Sequence, residues 1–138
     1  MLISLALLIA ACGEEDEAPT LDVTDEAPAE VQQESAGIFT SFAHSLDGSA
    51  RLYGEKDGQR VLRLENFTMT PGPDVYVYLS KSNNYSRANV LEVAMLKNGY
   101  SKSNINFTFA SGSYTPEHKY VLVYCVQFSS LFGYAELK

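Results

Sequence analysis

From Gly37 onward the sequence predicts an all-β fold, an antiparallel β-sandwich or small barrel of about seven to eight strands. Three observations predict it. Apolar and polar residues alternate with period two rather than 3.6, the alternating runs are short, and Gly, Asn, Asp and Pro punctuate them.

Along the chain, Ala50 and Leu52 take one face of the first clear run, with Arg51 and Tyr53 on the other. Asp57-Gly58 is a turn signal because both residues tolerate positive φ, and Gln59 to Glu65 then returns as a strand. There Leu62 and Leu64 alternate with Arg63 and Glu65. Pro71-Gly72-Pro73 forbids regular structure ahead of the next run. Val75, Val77 and Leu79 then face away from Tyr76 and Tyr78. Residues 89–98 carry enough β-branched side chains to favour strand over a short helix. Ile105, Phe107 and Phe109 oppose Asn104, Asn106 and Thr108. Tyr120 to Phe128 is apolar on both faces, which predicts a central strand buried on two sides.

The N-terminus has a different character. "MLISLALLIAACGEE" opens with about eleven apolar residues, roughly half of what a membrane-spanning helix needs and the right length for a secretory signal. Ile9-Ala10-Ala11-Cys12 resembles a bacterial lipobox, which makes residues 1–11 a signal peptide and Cys12 the lipidated residue. No Lys or Arg precedes the apolar run, so the true start is expected upstream. Acyl chains on Cys12 would anchor the chain to a membrane, two holding far better than one.

Residues 12–36 read as an acidic, disordered tether, with Ala-Pro repeats, few apolar residues and no Lys or Arg. Removal of residues 13–35 is expected to leave the domain's thermal midpoint nearly unchanged. Nine of the seventeen acidic residues lie there; the other eight, against ten basic ones, leave residues 37–138 near +2 although the whole chain is at −7. The acidic balance therefore belongs to the tether, and no basic surface points to nucleic acid. The expected location is the bacterial cell envelope, facing the periplasm or the cell exterior.

The chain has two cysteines, so lipidation of Cys12 leaves Cys125 without a partner. A thiol among Val121, Val123 and other apolar neighbours packs well as a small hydrophobe. As a thiolate it is equally a nucleophile or a soft metal ligand. His44, in "FAHSLDGSA", is either a ligand or a turn residue hydrogen-bonded beside Asp47-Gly48. His118 reads as an exposed loop residue. Asp74, after Gly72-Pro73, reads as a structural cap of turn amides. Tyr76, Tyr78, Tyr85, Tyr100 and Tyr114 fit either an outward binding surface or packing under loops. No zinc pattern, C-x-x-C, C-x-x-C-H, G-x-S-x-G or paired-carboxylate setting occurs, so dithiol exchange, covalent haem and hydrolysis find no support. A noncovalent haem or a metal ion on Cys125 or His44 needs only one or two ligands and stays open.

Gly37-Ile38-Phe39, His44 to Gly48, Val61 to Phe67, Gly72-Pro73-Asp74 running into Val75 to Ser80, and Tyr124-Cys125-Val126-Gln127-Phe128 followed by Phe132 to Leu137 occur in one order. Taken together, residues 37–138 resemble the DM-thirteen domain, also called the electron-transfer DM-thirteen domain. The resemblance implies a β-sandwich-like extracytoplasmic domain in which Cys125, and less directly His44, acts in redox chemistry or as a haem ligand. Eukaryotic members carry it beside DOMON and cytochrome b modules. Two functions therefore stay open: redox or electron transfer through Cys125, with a redox or cell-surface protein as partner, and a protein- or carbohydrate-binding module without redox chemistry.

Overall fold

Period-two patterning produces nine strands in the computed structural model, which describes residues 21–24 and 26–138. The strands are β1 (Leu21–Val23), β2 (Gln33–Ser41), β3 (Leu46–Tyr53), β4 (Gln59–Met69), β5 (Val75–Ser80), β6 (Val90–Leu96), β7 (Tyr100–Ala110), β8 (Tyr120–Cys125) and β9 (Ser130–Glu136). They form one antiparallel sheet in the order β1-β7-β4-β3-β2-β9-β8-β5-β6, curled into a nearly closed, barrel-like shell. Of the two architectures the patterning allows, the small barrel is the one adopted. The signal peptide expected at 1–11 and the lipidation expected at Cys12 fall outside the described residues.

The hairpins form for local reasons. Asp57 and Gly58 have φ of 54° and 75°, the left-handed pair that matches the twist of β3 and β4. Val90 to Leu96 is a strand, paired along its length with β5. Every inward position read from the alternation is buried: Ala50 and Leu52, Leu62 and Leu64, Val75, Val77 and Leu79, and Ile105, Phe107 and Phe109. Each large apolar side chain removed from water contributes roughly 1.5–3 kcal/mol. That is how a domain of this size holds together with its described cysteine, Cys125, unpaired.

β8 lies between β5 and β9 and is buried on both faces, as its composition predicts. Val121, Val123 and Cys125 face the core, while Leu122 and Tyr124 pack outward beneath Tyr78, Tyr85 and Leu131. The outer cover is a layer of tyrosines rather than a second sheet. The strand is also shorter than its apolar run. Val126 to Ser129 form a turn in which Ser129 has φ of 48°, so Cys125 is the last residue of β8, not its middle.

The stretch read as a free tether differs most. β1 pairs with β7 in the register Leu21↔Phe107 to Val23↔Ile105, and residues 33–36 belong to β2. Two of its acids have partners in the domain: Glu30 pairs with Lys56, and Glu34 with Arg60 at 2.6 Å. Arg63 explains the docking. It projects from the outer face of β4, yet is only 2% exposed. Its Nη1 donates to the carbonyls of Thr24 (3.1 Å) and Glu26 (2.9 Å) and to Asn106 Oδ1 (2.8 Å), and its Nε pairs with Glu65 at 2.9 Å. A buried cation needs such partners, and Thr24 and Glu26 supply two of them. Composition alone could not show this, because the partners are backbone carbonyls.

Removing residues 1–32 should therefore lower domain stability by about 1–3 kcal/mol, the worth of hydrogen bonds to a charged group. Urea denaturation of the full and shortened chains checks it. Equal midpoints would mean that Arg63 does not hold this segment to the sheet.

Candidate functional site

Four connections gather at one end of the barrel: residues 42–45, 70–74, 97–99 and 126–129. Three of them enclose a cavity of about 260 Å³. His44, Gly72, Pro73 and Cys125 line it, with Phe128 and Phe132 among the remaining walls. Two residues 81 positions apart in the chain, His44 and Cys125, thus reach one cavity because β2, β9 and β8 are adjacent strands.

Cys125 comes to the cavity as the last inward residue of β8, in register with Val75 on β5 and Ser130 on β9. It is 1% exposed, and its Sγ–H donates to the Pro73 carbonyl at 3.0 Å. That carbonyl precedes the start of β5, so it is available to the thiol. Asp74 fixes the same corner through its backbone: its φ is 58°, and its carbonyl accepts from Val126 N at 2.9 Å. The capping role assigned to Asp74 is therefore carried by its main chain at this corner, while its carboxylate lies beside Tyr76. Gly72 leaves little room for a side chain. A Cβ there would lie 3.1 Å from Phe132 Cζ and 3.1 Å from Val75 Cγ2, crowding the ring that walls the cavity.

His44 occupies the β2–β3 loop, which Ser41 Oγ pins by accepting from Leu46 N (2.9 Å) and donating to Leu46 O (3.1 Å). The imidazole packs on Phe132, with ring centroids 4.0 Å apart and planes at 39°. It is exposed at the cavity edge, where the sequence leaves ligand and turn roles open. Phe42 (74% exposed) is in the same loop, and Phe128 (66% exposed) is on the cavity rim.

His118 is in a loop at the other end of the barrel, as read, but it is buried, 6% exposed, rather than exposed. Its Nδ1 accepts from Thr115 N at 3.0 Å, closing a local turn, and burial holds its pKa below the usual imidazole value. The tyrosines also divide. Tyr100 packs against the core, and Tyr114 lies under the Arg60 guanidinium, 4.3 Å from ring centroid to Cζ. Tyr76, Tyr78 and Tyr85 join Tyr124 on the outer face of β5 and β8. Burial, followed by the neighbouring Tyr85 phenol, raises the pKa of Tyr78 above the ordinary phenol value.

The cavity does not fit a haem, and the donor set falls short of a metal-holding cluster. No group of three or more His, Cys, Asp and Glu able to hold a metal occurs among the described residues. The cavity is below the ~300–1,000 Å³ of small-molecule pockets and cannot enclose a porphyrin. Its sulfur is already engaged as a donor to Pro73. What the arrangement offers is a thiol in an apolar chamber that admits only small molecules, with an imidazole at its edge. The residues missed in sequence are Phe128 and Phe132. An aromatic in an apolar strand run reads as core, and only the turn at 126–129 reveals the rim.

A family model described as Electron transfer DM13 matches residues 38–137. No curated protein matches the chain, and no solved structure does.

Proposed function

The chain belongs to the electron-transfer DM13 family, and on that premise we propose that it is a lipid-anchored, extracytoplasmic redox domain whose working group is the Cys125 thiol. The observation that carries this reading is the placement of Cys125 and His44 on one cavity at the loop end of the barrel. With Cys125 the one described cysteine, an intradomain disulfide within residues 21–138 is not its oxidised form. One-electron chemistry fits instead. The thiol gives an electron to a one-electron carrier and its proton to the His44 imidazole, the other titratable side chain on the cavity wall. The sulfur is left as a thiyl, and the reverse transfer restores S–H. Cys12 supplies the membrane anchor, and the exposed Phe42 and Phe128 mark where a partner would meet the cavity. Those two rings also favour a second reading, a module that binds a protein there without redox chemistry.

Graded thiol reagents separate the readings. In the native domain, methyl methanethiosulfonate should modify Cys125, whereas a bulky aromatic disulfide should not until the protein unfolds. Protection from both reagents until unfolding would make Cys125 a packing residue and leave the binding module standing. For the anchor, labelled palmitate should be incorporated by the wild type in a bacterial host and lost in Cys12→Ser; equal labelling would contradict lipidation.

A further inference from the structure

The outer face of β5 and β8 carries a chain of phenols that ends one residue from Cys125. Tyr76 and Tyr78 have ring centroids 5.9 Å apart, and Tyr78 and Tyr85 5.2 Å. Tyr85 then stacks on Tyr124 at 4.0 Å with planes at 3°. Tyr78 also reaches Tyr124 directly at 6.4 Å. Tyr76 and Tyr85 are half-buried and meet solvent, whereas Tyr78 and Tyr124 are buried. Tyr124 is joined to Cys125 by one peptide, its side chain outside the barrel and the thiol inside. Tyrosine adds a group that gives up one electron when its proton can leave.

We propose that Tyr76, Tyr78, Tyr85 and Tyr124 form a relay that carries single electrons between the outer surface and Cys125. The relay rests on the redox reading of Cys125 and answers a problem that reading raises. The thiol is 1% exposed in a chamber of about 260 Å³, so a macromolecular or metal-complex carrier cannot touch it. Tunnelling falls off exponentially with distance, so short steps between rings in contact outrun one long step. The proton has an acceptor at the solvent end, because the Asp74 carboxylate faces the Tyr76 phenol. A one-electron oxidant removes an electron from Tyr76, and Asp74 takes the phenolic proton. The electron vacancy then passes through the contacting rings of Tyr78, Tyr85 and Tyr124, and Asp74 returns its proton to Tyr76 as that phenol is refilled. It ends at Cys125, whose S–H bond breaks: the electron refills the relay and the proton passes to the His44 imidazole across the cavity. The net change is thiol plus oxidised carrier to thiyl, proton and reduced carrier.

Flash generation of tris(bipyridine)ruthenium(III), a cation too large for the cavity, tests this in the native protein. The tyrosyl radical is followed by transient absorption. In the wild type it should decay in a fast phase as Cys125 refills it. That phase should be lost, and the radical should live severalfold longer, in Cys125→Ala, in Cys125→Ser and in Tyr124→Phe, which keeps the packed ring and removes only the hydroxyl. The same decay in the wild type and both Cys125 variants overturns the relay. If methyl methanethiosulfonate still labels native Cys125 in that case, the redox site stands without the relay; if it does not, both fall.

Discussion

Continuity of the sheet depends on how tightly β2 and β9 approach one another. Residues 33–38 of β2 pair with β3, while residues 39–41 pair with β9, so a single strand joins the two halves of the sheet. At Gly37 the Glu136 carbonyl occupies the place where a Cβ would project, and at Gly133 the Thr40 carbonyl does the same. Any side chain at either position would push the strands apart. The reciprocal hydrogen bonds of Ala36 and Lys138, at 3.1 and 2.9 Å, extend the pairing past the crossing. Because β2 is held there, the loop after it is delivered onto Phe132, and His44 with it. The cavity is thus a consequence of a steric fit between two backbones.

The same strand order explains why a thiol lies at the end of a hydrophobic strand. β8 is covered inside by the core and outside by tyrosines, so its apolar residues need no solvent-facing side. The chain leaves the sheet after Cys125, and the corner at Pro73 and Asp74 leaves a carbonyl free for the sulfur. Burial at that place stabilises the barrel and also limits what can reach the thiol. A small chamber and an exposed aromatic rim follow from one set of loops. The redox reading and the packing of the fold therefore draw on the same residues.

Much of this was legible in the sequence, for a physical reason. Period-two alternation reports the two faces of a strand directly, and Leu62-Leu64, Val75-Val77-Leu79 and Ile105-Phe107-Phe109 are all buried as read. The Asp57-Gly58 turn was legible because few residue pairs accept two positive φ angles. Three features were not. The end of β8 was hidden because Val126 and Phe128 are apolar although they lie in an exposed turn. The docking of Thr24 and Glu26 was hidden because Arg63 is satisfied by main-chain carbonyls, which every sequence has. The meeting of His44 with Cys125 was hidden because it depends on which strands are neighbours. Local pattern does not encode that; the family resemblance named both residues without bringing them together.

The central claim is that His44, Phe132 and Cys125 share one cavity, with His118 remote from it. Side-chain and amide chemical shifts from NMR of the native domain test it when Cys125 is replaced by Ser, an almost isosteric change. The account predicts that the His44 ring, the Gly72 amide and the Phe132 ring all move, while the His118 ring does not. Perturbations confined to β8 and its strand partners, with His44 and Phe132 unmoved, would contradict it.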